Sequence, residues 1–177
     1  TDLRIGDRVA CAGAQCAHHA EVISVPRNLT VPIPEGVSFA HASTVTLGAI
    51  AMQGLRRAAP TLGKTFVVIG LGFLGQLTTQ FLKLNGCHVV GIDLDVNRTD
   101  LAEELGMDIG FNRTDVEEIG RLTHGVGADG VIITAASSSH DLIADAFHLC
   151  RRKGRVVLVG DVGLNLKRAD FYQKEID

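Results

Sequence analysis

Two stretches of the chain combine residue types and spacings that could do chemistry. The segment "CAGAQCAHH", Cys11 to His19, holds two cysteines and two histidines, side chains that zinc prefers. The segment "VIGLGFLGQ" places Gly70, Gly72 and Gly75 in the spacing G-x-G-x-x-G, which is typical of a phosphate-binding turn. Glycine triplets are common in a chain with 20 glycines, so the flanking elements must decide what this one means.

The glycine motif lies between a predicted strand and a predicted helix. "TFVVIG" (65–70) is an apolar β-branched strand, and "FLGQLTTQFLKLNG" (73–86) is a helix that a glycine ends. In this context Gly70 permits a tight turn, Gly72 has no Cβ to block a pyrophosphate, and Gly75 lets the helix pack closely. The N–H groups of Phe73 and Leu74, at the positive end of the helix, can then bind phosphate oxygens.

An acidic residue follows where a dinucleotide site needs one. "HVVGID" (88–93) is the second strand, and Asp93 at its end can accept hydrogen bonds from the ribose hydroxyls of adenosine. A 2′-phosphate would meet like charge there, so NAD is favoured over NADP. Arg98 can pair with Asp93 or lie over the adenine, which weakens that preference.

Two other interpretations of the motif stay open. The segment can be a tight strand–helix turn that binds nothing. It can also belong to a fold that binds S-adenosylmethionine, although the loop of such folds usually runs G-x-G-x-G.

The remainder of this half alternates strands and helices. Strands are predicted at "DIGFN" (108–112), "GVIITAA" (130–136) and "RVVLVG" (155–160). Helices are predicted at "NRTDLAEELG", "DVEEIGRLTHG" and "SSHDLIADAFHLCRRKG", the last with basic residues in its final turn. Such alternation predicts an α/β fold with a doubly wound, Rossmann-like parallel sheet.

Ligands of doubly wound sheets bind beyond the carboxyl ends of the strands. Ala135 and Gly160 end two predicted strands there, and these small residues can admit a cofactor or serve packing alone. Asp161 is the polar group that we expect to face a nicotinamide, although it can equally begin a turn. Thr46, near the start of a predicted helix, is a further candidate for the nicotinamide side.

The first 64 residues do not follow this alternation. "RIGDRVACAG" and "HAEVISV" alternate as strands, and "VPRNLTVPIPEG" is an irregular, proline-punctuated crossing. A single helix is predicted from the N-cap Ser38 to near Ala58. We therefore expect a β-domain remnant at 1–40, a connecting helix at 41–60 and a dinucleotide-binding domain at 61–177.

Composition excludes several classes of protein. A net charge of −3 argues against a nucleic-acid surface, and no apolar run approaches the roughly 20 residues of a membrane span. The first ten residues lack the pattern of a signal peptide. Four scattered cysteines are not a disulfide framework and suit a reducing cytoplasm.

With these elements in place, the chain resembles the medium-chain dehydrogenase/reductase family of the zinc alcohol dehydrogenase type. "GDRVA" and "HHAEVISVP" are similar to the last strands of its GroES-like catalytic domain, here truncated. "VVIGLGFLGQLTTQFLKLNGCHVVGIDLD" is similar to its first βαβ unit. "TLGAIAMQG" and "VVLVGDVG…DFYQKE" resemble a subgroup that is fused to a glucose–fructose-oxidoreductase-like domain.

The resemblance implies a fragment of an NAD-dependent oxidoreductase that transfers hydride to or from an alcohol or carbonyl of a small-molecule substrate. It further implies that the last strand of the cofactor domain begins about where residue 177 ends. That strand commonly forms a dimer interface, so we expect the full-length protein to be a homo-oligomer. The catalytic residues are unknown, and a fragment alone is expected to bind cofactor without turnover.

Zinc is not expected in this segment. "CAGAQCAHH" has no second ligand pair nearby, and adjacent histidines of a strand point to opposite faces. The resemblance places a zinc-binding cysteine of the family at Val45 or Thr46, neither of which supplies a thiolate. A non-catalytic module that binds NAD(H) structurally or senses its redox state therefore remains the alternative function.

Overall fold

A computed structural model describes residues 2–177, which separate into two compact units, up to Ala49 and from Ile50 onward. In the first unit, strands β1 (Val9–Cys11) and β2 (Thr30–Pro32) pair antiparallel, with Cys11 opposite Thr30. A 3-10 turn at Arg27–Leu29 leads into β2. The guanidinium of Arg8 donates to the Val37 carbonyl and lies over the ring of Phe39, which ties the end of this unit to its start.

Two predictions for the first unit are wrong. The segment 19–25 forms no strand, and the partner of β1 comes instead from the proline-rich crossing. Pro32 is tolerated because it lies at the end of a two-stranded pair, where its missing N–H leaves the remaining ladder intact. The alternation of apolar and polar residues in 19–25 does not mark a half-buried strand, because Val22 is 88% exposed.

The predicted single helix is divided in two. Ser38 caps α1 (Phe39–Ala42) by accepting from the His41 N–H, as expected. The hydroxyls of Ser43 and Thr44 then bond back to carbonyls of the previous turn, an alternative to continuing the helix. Helix α2 (Val45–Ala58) restarts after them and runs into the second unit.

The second unit contains the predicted parallel sheet. Its strands are β3 (Thr65–Ile69), β4 (His88–Ile92), β5 (Ile109–Phe111), β6 (Ala128–Ile133) and β7 (Cys150–Leu158), in spatial order β5-β4-β3-β6-β7. The connecting helices are α3 (Phe73–Leu84), α4 (Val96–Glu104), α5 (Val116–Leu122) and α6 (Asp141–Leu149), and α7 (Arg168–Phe171) follows β7. The chain leaves β3 in one direction and later returns to its other side with β6. The carboxyl ends of β3 and β6 therefore form the switch point, where doubly wound sheets bind ligands.

Both faces of this sheet are buried. Val67 and Ile69 of β3 pack in one apolar cluster with α5 and α6, whereas Phe66 and Val68 pack in another with α2, α3 and α4. Successive side chains of a strand point to opposite faces, which explains the nearly continuous apolar runs. The predicted α/β fold class is confirmed.

The end of α6 differs from its prediction. The helix stops at Leu149, and Cys150–Leu158 is strand, so the basic residues at 151–153 do not form a last helical turn. The ammonium of Lys174 donates to the carbonyls of Phe147, His148 and Cys150 and so ends the helix from outside. A register shift opposite Ala128–Gly130 accommodates the extra residues of β7.

None of the helices within residues 2–177 is both long and apolar enough to cross a bilayer.

Candidate functional site

Two of the three motif glycines are required by packing inside the chain. Gly70 follows β3 with φ at 92°, and a Cβ there would come within 2.6–2.8 Å of the backbone N, Cα and Cβ of Ala135. A Cβ on Gly75 would overlap the Gly70 carbonyl oxygen, far inside the 3.0 Å that real Cβ contacts observe. These glycines hold the turn against β6 and let α3 begin close under it.

Gly72 has no such reason to be glycine. It caps the N-terminus of α3 with φ −66° and ψ −167°, a conformation that any residue adopts. A Cβ there would have no atom within 4 Å beyond Gly72 itself and its two chain neighbours. Gly72 also supplies no side chain to cap the helix, so the N–H groups of Phe73 and Leu74 in the first turn receive no side-chain cap.

Asp93 is turned toward this loop. Its Oδ2 accepts from the Leu71 N–H at 2.7 Å and its Oδ1 accepts from the Asp95 N–H at 2.9 Å, and the side chain is 9% exposed. The guanidinium of Arg98 lies 3.5 Å from Oδ2 and 3.6 Å from the Asp95 carboxylate. A carboxylate oxygen can accept more than one hydrogen bond, so these contacts leave acceptor capacity for a ligand hydroxyl.

Gln76 is a contact residue that sequence reasoning missed. Its Nε2 donates to the Leu71 carbonyl at 3.0 Å and to the Arg98 carbonyl at 2.8 Å, and the side chain is buried. The available signal was a long polar side chain directly after Gly75, on the helix face that packs toward the sheet. Asp93 and Gln76 together form hydrogen bonds with the backbone N–H and the backbone carbonyl of Leu71.

The other predicted residues fall into two groups. The N–H groups of Ala135 and Gly160 donate to the Ile69 and Ile133 carbonyls, at 3.0 and 2.9 Å, and a Cβ on Gly160 would overlap the Ala135 carbonyl oxygen. Both therefore adjoin the glycine turn at the carboxyl edge of the sheet. Asp161 is exposed just beyond Gly160, whereas Thr46 is half-buried in the first turn of α2, in the other unit. The ligand roles of all these residues stay predictions.

Charged groups concentrate at the opposite edge of the sheet. Asp129 accepts from the Thr65 N–H at 2.9 Å, the Arg151 Nε at 2.7 Å and the Lys64 ammonium at 3.0 Å. Burial, the largest influence, raises the pKa of this carboxyl, but these donors outweigh it and the pKa lies below its ordinary value. The cluster borders a cleft of about 490 Å³ that faces away from the glycine turn.

Within residues 2–177, no three His, Cys, Asp or Glu side chains gather as metal ligands. The thiol of Cys16 is within 3.9 Å of the Ala12 and Gly13 carbonyls, and that of Cys11 lies 3.8 Å from the Thr30 hydroxyl. The thiols of Cys11 and Cys16 thus contact backbone and hydroxyl oxygens, and they belong to no three-ligand cluster among the described residues.

Similarity to known proteins extends over most of the chain. Residues 74–177 match the sequence profile of the family described as zinc-binding dehydrogenase. The D-guloside 3-dehydrogenase of Escherichia coli K12 is 35% identical over 139 residues, 76% of this chain and 39% of that protein. An NAD-dependent alcohol dehydrogenase of Sulfurisphaera tokodaii is 30% identical over 155 residues, 84% of this chain and 44% of that protein.

Similarity of fold is equally extensive. The structure of a mycobacterial protein complexed with NADPH superposes with a TM-score of 0.82, at 23% identity, and covers 99% of this chain and 56% of that one. The chain spans about two fifths of the length of the relatives that it matches in sequence.

Proposed function

Because the chain belongs to the zinc-binding dehydrogenases of the medium-chain dehydrogenase/reductase family, as a cofactor-binding portion, we propose that it binds NAD(H) for hydride transfer. Members of the family named above are oxidoreductases, and the parallel sheet described here is of the Rossmann type.

The observation that carries the proposal is the open space at Gly72. Gly70 and Gly75 are explained by contacts with Ala135 and with each other, whereas Gly72 meets nothing in the chain. A glycine that intramolecular packing does not require, at the N-terminus of a helix of 12 residues, fits a diphosphate that approaches the backbone. The residues therefore fit a nicotinamide dinucleotide.

In this proposal each part of the site has a physical task. The N–H groups of Phe73 and Leu74 donate to the diphosphate, and the Asp93 carboxylate accepts from the adenosine ribose. The backbone at Ala135 and Gly160 leaves room for the rest of the cofactor along the sheet edge. When bound, the nicotinamide supplies or takes up the hydride, and the chain contributes orientation and shielding from water.

We further propose NAD over NADP. The Asp93 side chain is 9% exposed and lies beside the loop, so a 2′-phosphate would be placed against an acidic side chain. Arg98 lies within 4 Å of both Asp93 and Asp95, which keeps its positive charge engaged with carboxylates rather than free for a phosphate. Relatives and neighbours with either cofactor are known, so discrimination rests on these three side chains.

The substrate proposal is a small alcohol or carbonyl compound, with sugar derivatives as the first class to examine. The named activity of the guloside relative supports that choice. We propose no zinc-dependent step for these residues, since no three metal-ligating side chains gather among those that the structure describes. We propose that this segment binds cofactor without turnover, and that the longer protein is a homo-oligomer; fusion to a second dehydrogenase domain stays a prediction of the resemblance.

The test is isothermal calorimetry of the 177-residue chain with NADH and NADPH, repeated with Asp93→Ala. We expect the wild-type chain to bind NADH more tightly than NADPH, and the variant to lose that preference. Asp100→Ala, on an exposed position of α4, is the matched control and should behave as wild type. Absence of binding to either dinucleotide would refute the proposal, and equal preference in wild type and Asp93→Ala would remove Asp93 from it.

A further inference from the structure

Gln76 places an amide where an aliphatic side chain would fill the same space. The residue lies in the first turn of α3 and is 9% exposed. Burying an amide costs free energy unless its groups are hydrogen-bonded, yet Oε1 of Gln76 has no partner among the described residues. Within the protein, the side chain of Gln76 therefore makes its hydrogen bonds to other residues through Nε2 alone.

Those two bonds join segments that the proposed site uses for different ends of the ligand. The Leu71 carbonyl belongs to the glycine turn, and the Arg98 carbonyl belongs to the first turn of α4. The Arg98 guanidinium in turn lies beside Asp93, and Asp93 accepts from the Leu71 N–H. The contacts close a circuit through Gln76, Leu71, Asp93 and Arg98.

The circuit leaves the centre of the glycine turn little freedom. Asp93 accepts from the N–H of Leu71, and Gln76 donates to the Leu71 carbonyl. The Leu71 side chain is itself 1% exposed in the core. Gly72, the next residue, adjoins the open space, and the uncapped N–H groups of Phe73 and Leu74 follow it in the chain. A turn that is ordered before the ligand arrives loses less conformational entropy on binding.

We propose that Gln76 is a positioning residue for the dinucleotide, an inference that rests on the proposed function. By donating to Leu71 and Arg98 at once, it fixes the diphosphate-binding turn relative to the carboxylate that receives the ribose. Gln76 touches no ligand in this role. Its effect is on affinity, through the shape of the site before binding.

The experiment compares NADH and NADPH affinity, from nucleotide fluorescence, across matched variants of the whole chain. Gln76→Met removes both donors at nearly constant volume. Gln80→Met makes the same change one turn later, where the amide donates only to the Gln76 backbone carbonyl. Ile119→Val removes a buried methylene from α5, on the other face of the sheet, and lowers the melting temperature without touching the circuit.

We expect Gln76→Met to weaken binding about tenfold, and both control variants to stay within twofold of wild type. Binding by Gln76→Met within twofold of wild type overturns the inference. So does an equal loss in Ile119→Val, because affinity would then follow global stability. If the wild-type chain binds neither dinucleotide, the proposed function itself fails. If the wild-type chain binds NADH but Gln76→Met binds it equally well, only the positioning role of Gln76 fails.

A measurement on the wild-type chain guards against a variant that does not fold. Hydrogen exchange of the Gln76 side-chain amide, followed by NMR, is expected to slow at least threefold when NADH is added, since ligand binding closes the fluctuations that expose it. Exchange of the Gln80 amide should not change. Equal exchange of the Gln76 amide with and without NADH would count against a positioning role.

Discussion

Alanine at Gly72 and alanine at Gly75 make the same chemical change three residues apart, and the structure predicts opposite consequences. At Gly72 the added methyl enters open space, whereas at Gly75 it overlaps the Gly70 carbonyl oxygen. The first change should therefore act on ligand binding and the second on the fold. The pair separates the two tasks that the motif combines.

The effect of Gly75→Ala on stability follows from overpacking. A methyl that cannot fit forces α3 away from the turn, and such strain costs about 1–3 kcal/mol. For a chain of this size, each kcal/mol lowers Tm by about 2–4 °C, so we expect a decrease of about 2–12 °C.

Gly72→Ala should leave the fold nearly unchanged. Alanine is a poorer N-cap than glycine by about 0.5 kcal/mol, but it also restricts the unfolded chain by a similar amount. The two terms offset each other, and Tm should stay within about 2 °C. In the proposed complex, however, the methyl lies where a diphosphate oxygen approaches the first turn of α3. Loss of one charge-assisted hydrogen bond, about 1.5–3 kcal/mol, raises the Kd for NADH about 10- to 150-fold.

Thermal denaturation by circular dichroism gives Tm, and calorimetry with NADH gives Kd, for wild type and both variants. Gly72→Ala that binds NADH as wild type does would refute the location of the diphosphate. A decrease in Tm as large for Gly72→Ala as for Gly75→Ala would show that the space beside Gly72 is not open. Either result removes the observation on which the proposed function rests.

Two further predictions concern the opposite edge of the sheet and the cysteines. Asp129→Asn should lower the free energy of unfolding by about 2 kcal/mol at pH 7, because its donors lose a charged acceptor. Since the folded-state pKa of Asp129 is below its ordinary value, this stabilisation is present above about pH 4 and is lost as the pH falls through the folded-state value. Urea titrations at pH 7 and pH 3 check this, with Asp100→Asn as control; a difference that is the same at both pH values would contradict it. Burial raises the pKa of the Cys150 thiol to about 11 and raises that of the Cys87 thiol as well. At pH 8, iodoacetamide should therefore modify the half-exposed Cys11 and Cys16 before these two buried cysteines. Rapid labelling of all four cysteines in the native chain would contradict the buried positions of Cys87 and Cys150.

The parallel sheet was predictable because its signal is local and repeated. Each strand carries an apolar run that buries both faces, and Asp115, the first residue of a predicted helix, is the N-cap of α5. The first unit was harder, since a pair of three-residue strands leaves almost no periodicity to detect. There, Val9–Cys11 pairs with Thr30–Pro32, although the segment 19–25 has the better alternating pattern.

The boundary of α6 shows a different reason for error. Helical periodicity continued through "CRRKG", but the segment is strand because Lys174 satisfies the helix-end carbonyls and Asp129 engages Arg151. These partners are separated by more than 20 residues in the chain, so no local pattern could contain them. The same holds for Gln76, whose two acceptors lie on different elements.

What the sequence by itself determined is the class of fold and the identity of the glycine turn, because both depend on spacing between near neighbours along the chain. What only the tertiary structure decided is which of the glycines the chain needs for itself. Gly70 and Gly75 are constrained by atoms of Ala135 and Gly70, while Gly72 faces empty space. That distinction depends on the distance between elements brought together by folding, a quantity that no pattern of residue types encodes.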